Sequence, residues 1–80
     1  MTLRRRAVRI AGHATSVSIE DAFWEEIKRA AAEDGTSIAR LIEAVDRGRL
    51  ADAAPGETPA NLSSALRLYV LARVKARRRD

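Results

Sequence analysis

The 80-residue sequence contains no cysteine, one histidine and three aromatic side chains. Without cysteine, neither disulfides nor a thiolate zinc site can stabilise the fold. The single histidine, His13, has no partners at ligand spacing, so we expect no metal and no cofactor. A chain of this length forms one small domain with a marginal core. The composition therefore favours oligomerisation as the source of additional stability.

Long apolar runs are also missing. No stretch approaches membrane-spanning length, and the N-terminus lacks the apolar segment of a signal peptide. We therefore expect a cytoplasmic, nucleoid-associated protein with no membrane partner. There is no nucleophile motif and no phosphate-cradling glycine loop, and the acid pairs at 25–26 and 33–34 are typical of solvated helix faces. These absences predict a protein that is not an enzyme.

Positive charge is concentrated at the two ends of the chain. The formal net charge is +4, but nine of the fifteen basic residues lie within residues 1–9 and 73–80. Basic clusters of this kind favour phosphate binding. For the C-terminal run alone, a solubilising, disordered tail is the slightly preferred interpretation. The N-terminal run leads directly into the most informative segment, so there we favour phosphate contacts, made by Arg4, Arg5, Arg6 and Arg9.

In that segment, residues 14–20, larger side chains alternate with small ones, as expected for a β-strand. Thr15, Val17 and Ile19 share one face, and the small residues between them share the other. It is the only strand that the pattern predicts, and one strand needs a partner for its backbone groups. We therefore expect a second copy of the chain to complete a two-stranded ribbon, which fits the major groove of DNA.

Three helices are expected after the strand. The first runs from Asp21 to about Asp34 and ends at Gly35, a residue suited to a left-handed C-terminal position. The second is capped by Thr36 or Ser37 and extends to roughly Arg49. Pro55-Gly56 marks a turn in the linker. The third is capped by Thr58 or Asn61 and runs from about Leu62 to Arg77. It is so broadly apolar that we expect contacts with both its own core and a partner chain.

These elements predict four regions of the chain. Residues 1–12 form a flexible basic arm, 13–50 the core, 51–60 a linker, and 61–80 a C-terminal helix with a basic tail. The fold class is mainly α with one short β-strand. Phe23 is expected in the core, whereas Trp24 packs either on the third helix or across a dimer.

The order of strand, helix, Gly-Thr-Ser break and second helix resembles the ribbon-helix-helix family of DNA-binding proteins. The resemblance covers about residues 13–50. Residues 13–24, 35–38 and 61–66 look more narrowly like a short bacterial group with a third helix, presumed to bind DNA. The resemblance implies a homodimer whose intermolecular antiparallel ribbon enters the major groove.

Site residues follow from that resemblance. Base contacts are expected from the outward strand positions Ala14, Ser16 and Ser18. A backbone phosphate is expected at the start of the second helix, on Thr36, Ser37 and Ile38. The implied dimer core comprises Val17, Ile19, Phe23, Ile27, Ile38, Leu41, Ile42 and Val45.

We therefore expect a transcriptional regulator, in particular a repressor, that binds double-stranded DNA as a homodimer or a higher assembly on DNA. The outward strand residues are small, which limits base recognition and keeps two alternatives open. One is an antitoxin or other protein-interaction module, with the C-terminal helix binding a protein partner. The other is a nonspecific nucleoid-type binder that relies on the arginine clusters.

Overall fold

A computed structural model of the chain describes residues 3–59 and 61–78. It contains a β-hairpin followed by three α-helices. Predictions that concern residues 1, 2, 60, 79 and 80, including the start of the basic arm and the end of the basic tail, lie outside the described residues. The elements are β1 Leu3–Ile10, β2 His13–Glu20, α1 Asp21–Glu33, α2 Ile38–Ala51 and α3 Leu62–Arg77.

The prediction of a single strand preceded by a flexible arm is wrong for residues 3–10. Leu3–Ile10 form strand β1, which pairs antiparallel with β2 within the same chain. The ribbon is therefore complete without a second copy. The strand escapes prediction because its inward positions begin with Arg4 and Arg6, so the alternation of polar and apolar residues starts only at Val8 and Ile10.

Ala11 and Gly12 make the two-residue turn between the strands. Both have positive φ values, 51° for Ala11 and 83° for Gly12. Two consecutive left-handed residues characterise the hairpin turn whose twist matches that of the flanking strands. Gly12 adopts this conformation freely, whereas Ala11 is the one non-glycine described residue with positive φ. The turn thus sets the register and carries some backbone strain.

The break between the first two helices follows the predicted chemistry. Gly35 has a φ of 65° and donates its N–H to Ala32 at 3.2 Å. Thr36 donates to Ala31 at 2.9 Å, which completes the paired hydrogen bonds that end a helix at glycine. The hydroxyl of Ser37 then accepts a hydrogen bond from the Arg40 N–H at 3.1 Å and caps α2.

Local signals also explain the linker and α3. Gly56 has a φ of 81°, and Glu57 N–H donates to Ala54 at 2.9 Å, so Pro55-Gly56 occupy the centre of a type II turn. The Asn61 side chain accepts from the Ser64 N–H at 2.8 Å and caps α3. The linker turn and the start of α3 therefore lie where the sequence predicts them.

The core lies between the inward face of the hairpin and all three helices. Its largest fully buried side chains come from every layer except β1: Val17 and Ile19 from β2, Ile27 from α1, Ile42 from α2 and Leu66 from α3. Burying one such side chain contributes roughly 1.5–3 kcal/mol. Val8 and Ile10 of β1 pack against the edge of this cluster.

The residues predicted to form a dimer core are therefore packed within a single chain. Five of the eight are buried, and Phe23, Ile38 and Val45 are partly buried against them. The helix α3 supplies Leu66 and Val70 to the same core. This packing supplies apolar burial that the sequence led us to expect from a partner. Among the described residues, no helix is long and apolar enough to cross a membrane.

Candidate nucleic-acid interface

The register of the hairpin divides its side chains into two faces. Arg5 pairs with Ser18, Ala7 with Ser16 and Arg9 with Ala14. Directly opposite residues in an antiparallel pair point to the same side of the sheet. The buried Val17 and Ile19 belong to the alternate set, so these pairs lie on the side away from the core. We call this side the outward face: Leu3, Arg5, Ala7, Arg9, Ala14, Ser16, Ser18 and Glu20.

The outward face is open to solvent and basic. Arg5, Arg9, Ala14 and Ser16 are exposed, and Ser18 is half-buried. The side chain of Arg5 makes no hydrogen bond or ion pair with any described residue. Arg9 donates one hydrogen bond, at 3.2 Å, to the carbonyl of Gly12 in the turn. Both guanidinium groups are therefore available to an external ligand.

The acid on this face is neutralised within the molecule. Glu20 Oε1 accepts a hydrogen bond from Arg67 Nε of α3 at 2.9 Å. This hydrogen bond lowers the pKa of the Glu20 carboxyl below its ordinary value. The pair turns the Glu20 carboxylate toward α3. Arg67 was not identified from the sequence, because an ion pair between residues 47 positions apart leaves no local signal.

Arg4 and Arg6, two of the four predicted phosphate-binding arginines, lie on the inward face of the hairpin, which they share with Val17 and Ile19. Arg4 Nε lies 3.4 Å from Asp21 Oδ1, and Arg6 Nη2 lies 2.5 Å from the same oxygen. The Arg6 guanidinium also lies over the Trp24 ring, 4.7 Å from its centroid. Only 23% of the Arg6 side chain is exposed, against 64% for Arg4. Arg6 thus stabilises the fold, whereas Arg4 remains accessible.

Both aromatic residues of α1 are partly buried against the core, as expected for Phe23. The Trp24 ring also lies beneath Arg6 of β1, a contact that the sequence did not predict. Phe23 is the aromatic residue that faces α3, where it lines an apolar groove with Val70, Leu71 and Val74. Neither aromatic residue lies on the outward face, so base stacking on Phe23 or Trp24 has no support in the fold.

The inward contacts hold the hairpin against the helices at both ends. Near the open end, Arg4 and Arg6 reach Asp21 at the start of α1. At the turn, the Ala11 N–H donates to the Glu43 carboxylate of α2 at 3.4 Å. The hairpin is thus supported along its length, and its outward face is presented on a fixed scaffold.

The predicted phosphate anchor occupies a different part of the surface. Thr36, Ser37 and Ile38 form the turn into α2, and no hydrogen bond or ion pair among the described residues joins them to the hairpin. The first backbone N–H groups of a helix have no acceptor inside it and favour an anion. Arg40 is exposed in this first turn, a basic residue that was not identified from the sequence although it stands three positions after Ser37.

Two of the four described C-terminal basic residues, Arg73 and Arg77, make structural contacts with α1 and its C-terminal cap. Arg73 donates to Asp34 at 2.8 Å, to Glu33 at 3.1 Å and to the Tyr69 hydroxyl at 2.9 Å. These contacts raise the pKa of Arg73, with Asp34 the largest cause, and lower the pKa values of Glu33 and Asp34. Arg77 binds Glu26 at 2.9 Å. The disordered-tail interpretation is therefore wrong for Arg73 and Arg77, which attach α3 to α1.

The histidine and the carboxylates form no recognisable reactive centre. His13 is exposed at the start of β2, next to the turn. In the part of the chain that the structure describes, no group of three histidine or acidic residues could hold a metal ion. Arginine pairing accounts for the pKa shifts of Glu20, Glu33 and Asp34.

The model of the ribbon-helix-helix domain matches residues 3–74, which include both strands and most of α3. The chain belongs to the ribbon-helix-helix domain family. Members of this family are typically DNA-binding regulators that act as dimers. The match includes residues 13–50 and 61–66, on which the sequence resemblance was based, and extends to β1 and most of α3.

One solved structure has a similar fold. The chain is similar to an uncharacterized protein from Bordetella pertussis Tohama I, with 34% sequence identity and a TM-score of 0.71. The similarity covers 99% of this chain but 62% of that one, so the chain spans less than two thirds of its length. No curated protein sequence matches significantly.

Proposed function

We propose that the protein is a transcriptional regulator, in particular a repressor, that inserts the outward face of its hairpin into the major groove of DNA. The observation that carries this proposal is the register, which places the exposed Arg5 and Arg9 beside Ala14, Ser16 and Ser18. A two-stranded ribbon has the width that the major groove admits. Each chain therefore carries a complete ribbon of its own.

Positive charge around the hairpin supplies the attraction to phosphates. Arg4 remains exposed on the inward side of the hairpin, and the start of α2, on a different part of the surface, offers Thr36, Ser37 and Ile38 with the exposed Arg40. When the logarithm of the affinity is plotted against the logarithm of the salt concentration, each phosphate that the protein neutralises adds about −0.9 to the slope. Removing a phosphate contact should therefore weaken binding to every sequence and flatten this salt dependence.

The experiment is a fluorescence-anisotropy titration at low and near-physiological salt. One duplex is the region upstream of the protein's own gene, and the other is a scrambled duplex of equal composition. Preferential binding that persists at the higher salt supports a sequence-specific regulator. Equal, salt-sensitive binding to both favours the nonspecific nucleoid-type binder. Absence of binding to either duplex contradicts the proposed function.

The same titration tests the hairpin directly. The double replacement Arg5→Ala with Arg9→Ala should greatly reduce affinity, while Arg47→Ala provides a matched control. Arg47 is an arginine of α2 whose side chain is 73% exposed and which faces Glu43 at 3.7 Å. A double variant that binds like the wild type would show that the outward face of the hairpin is not the DNA-binding surface.

Homodimerisation is part of this proposal, and α3 supplies the contact. Leu68 is 62% exposed and Leu71 is 52% exposed, although both lie in the middle of the helix. Two acids and one base line the surface beside Leu68 (Asp52 and Glu57, with Arg49), and two bases line it beyond Ala72 (Lys75 and Arg78). Antiparallel packing of two α3 helices would bury the leucines and bring these opposite charges toward each other.

The dimer contact is tested by light scattering coupled to size-exclusion chromatography. Leu68→Glu combined with Leu71→Glu should convert the dimer into a monomer with unchanged helix content. Leu50→Glu is the matched control, because Leu50 of α2 is 52% exposed, as is Leu71. A dimer that survives the double replacement would exclude α3 as its contact. The edge of β2 that faces away from β1 would then be the next candidate.

The exposed leucines also favour a second candidate function, that of an antitoxin or other protein-interaction module. A partner protein would then cover Leu68 and Leu71 in place of a second copy. A wild-type protein that is monomeric alone and forms a stoichiometric complex with the product of a neighbouring gene would favour this function. A stable dimer in isolation would argue against it.

A further inference from the structure

Because the β2 side chains are small, the outward face has only two long polar side chains besides Glu20, which is held by Arg67. Ala14 can only touch a thymine methyl, and serine can bond to several different bases, so neither selects a base strongly. Arg5 and Arg9 share this face, since Arg5 lies opposite Ser18 and Arg9 opposite Ala14. A guanidinium presents paired N–H donors that match the O6 and N7 acceptors of guanine.

We propose that Arg5 and Arg9 of β1 are the specificity-determining residues and that each reads a guanine in the major groove. This inference rests on the proposed insertion of the hairpin into DNA. It changes the role expected from the sequence, where all four N-terminal arginines were assigned to phosphates. The strand alternation gives Arg4 and Arg6 a different neighbour, Asp21, whose carboxylate forms an ion pair with each of them.

The surroundings of the two residues leave room for such contacts. The pair between them, Ala7 and Ser16, is small and exposed. No described acid binds Arg5, and Arg9 has a single hydrogen bond to the Gly12 carbonyl. Glu20, the acid of this face, is held by Arg67. Both guanidinium groups can therefore extend to the floor of the groove without first breaking an ion pair.

The distance between the two arginines predicts the spacing of their targets. They are separated by four residues along β1, which corresponds to about 13 Å at the rise of an antiparallel strand. Successive base pairs are stacked about 3.4 Å apart along the DNA axis and lie farther apart along the inclined groove, so the two guanines should lie about three to four base pairs apart. The recognition sequence should therefore contain two separately readable guanine positions at this spacing.

The experiment selects duplexes from a pool with a randomised central region, followed by sequencing of the bound fraction. Wild type, Arg5→Ala, Arg9→Ala and the control Arg47→Ala are compared under one salt condition. Wild type and control should enrich the same sequence with two guanine positions. Each arginine variant should lose preference at one position and keep it at the other, and a good arginine–guanine pair corresponds to about 5- to 150-fold discrimination.

A replacement by lysine separates base recognition from charge. Arg5→Lys keeps the positive charge but loses the rigid, paired donors, so it should retain general affinity and weaken preference at the same position as Arg5→Ala. Two results would overturn the inference: variants that enrich the wild-type sequence with uniformly lower yield, or a wild type that enriches no sequence although it binds the pool. Failure to bind the pool at all would instead refute the proposed function itself.

Discussion

The two faces of the hairpin show how one short arginine-rich strand performs two tasks. On the inward face, Arg6 lies over Trp24 and binds Asp21, while Val17 and Ile19 of β2 are buried. On the outward face, the Arg5 side chain has no hydrogen-bond or ion-pair partner among the described residues, and Ser16 is exposed. Identical side chains therefore differ in role because strand alternation assigns them to different environments. Burial stabilises the fold on one side, and accessible charge serves binding on the other.

The largest difference between the faces should appear when a buried residue is truncated. Ile19→Ala removes a side chain that is 0% exposed. We expect it to lower the free energy of unfolding by about 2–5 kcal/mol because it leaves a cavity. Ser16→Ala on the outward face should change it by less than about 0.5 kcal/mol. Urea unfolding followed by circular dichroism measures both, and equal effects would contradict the assignment of the two faces.

A smaller contrast is expected between neighbouring arginines of β1. Arg6→Ala removes the contact with Trp24 and a partly buried ion pair, so we expect a loss of about 1 kcal/mol. For a domain of this size, that loss lowers the melting temperature by about 4–8 °C. Arg5→Ala should leave the melting temperature nearly unchanged and reduce DNA affinity. If Arg5→Ala lowered the melting temperature and Arg6→Ala only reduced DNA affinity, the assignment of Arg5 to the outward face and Arg6 to the inward face would be wrong.

The turn offers a way to strengthen the hairpin without touching either face. Ala11 has a φ of 51°, a conformation that asparagine tolerates better than alanine. Ala11→Asn should therefore raise the free energy of unfolding by about 0.5–1 kcal/mol. Thermal melting measures the gain, and DNA affinity should not fall. A destabilised variant would contradict the proposed strain at Ala11.

The smallest expected effect is a pH dependence that arises from Glu20. Its hydrogen bond from Arg67 lowers the folded-state pKa below the ordinary value of 4.5. The stabilisation is therefore complete above about pH 4.5 and disappears as the pH falls through the lowered pKa of the folded state. Arg67→Gln should move the pKa of Glu20 upward and reduce this acid sensitivity. NMR titration of the Glu20 carboxyl checks the shift, and an unchanged pKa would exclude Arg67 as its cause.

Most helix boundaries could be predicted because their signals are local. Gly35 ends α1, Ser37 and Asn61 cap the next two helices, and Pro55-Gly56 form the linker turn, each through bonds within a few residues. The alternation of β2 likewise identified Val17 and Ile19 as inward and Ser16 and Ser18 as outward. For the candidate site, the sequence therefore determined the half contributed by β2 and the cap of α2.

Tertiary structure alone decided the remainder, because it depends on contacts between distant residues. Nothing local shows that β1 pairs with β2, since Arg4 and Arg6 occupy two of its inward positions and hide the alternation. The pairing register of the two strands places Arg5 and Arg6 on opposite faces of the hairpin. The charge of Glu20 is neutralised by Arg67, which comes from α3. Local chemistry thus determined where elements begin and end, whereas long-range packing determined which charges remain available for a ligand.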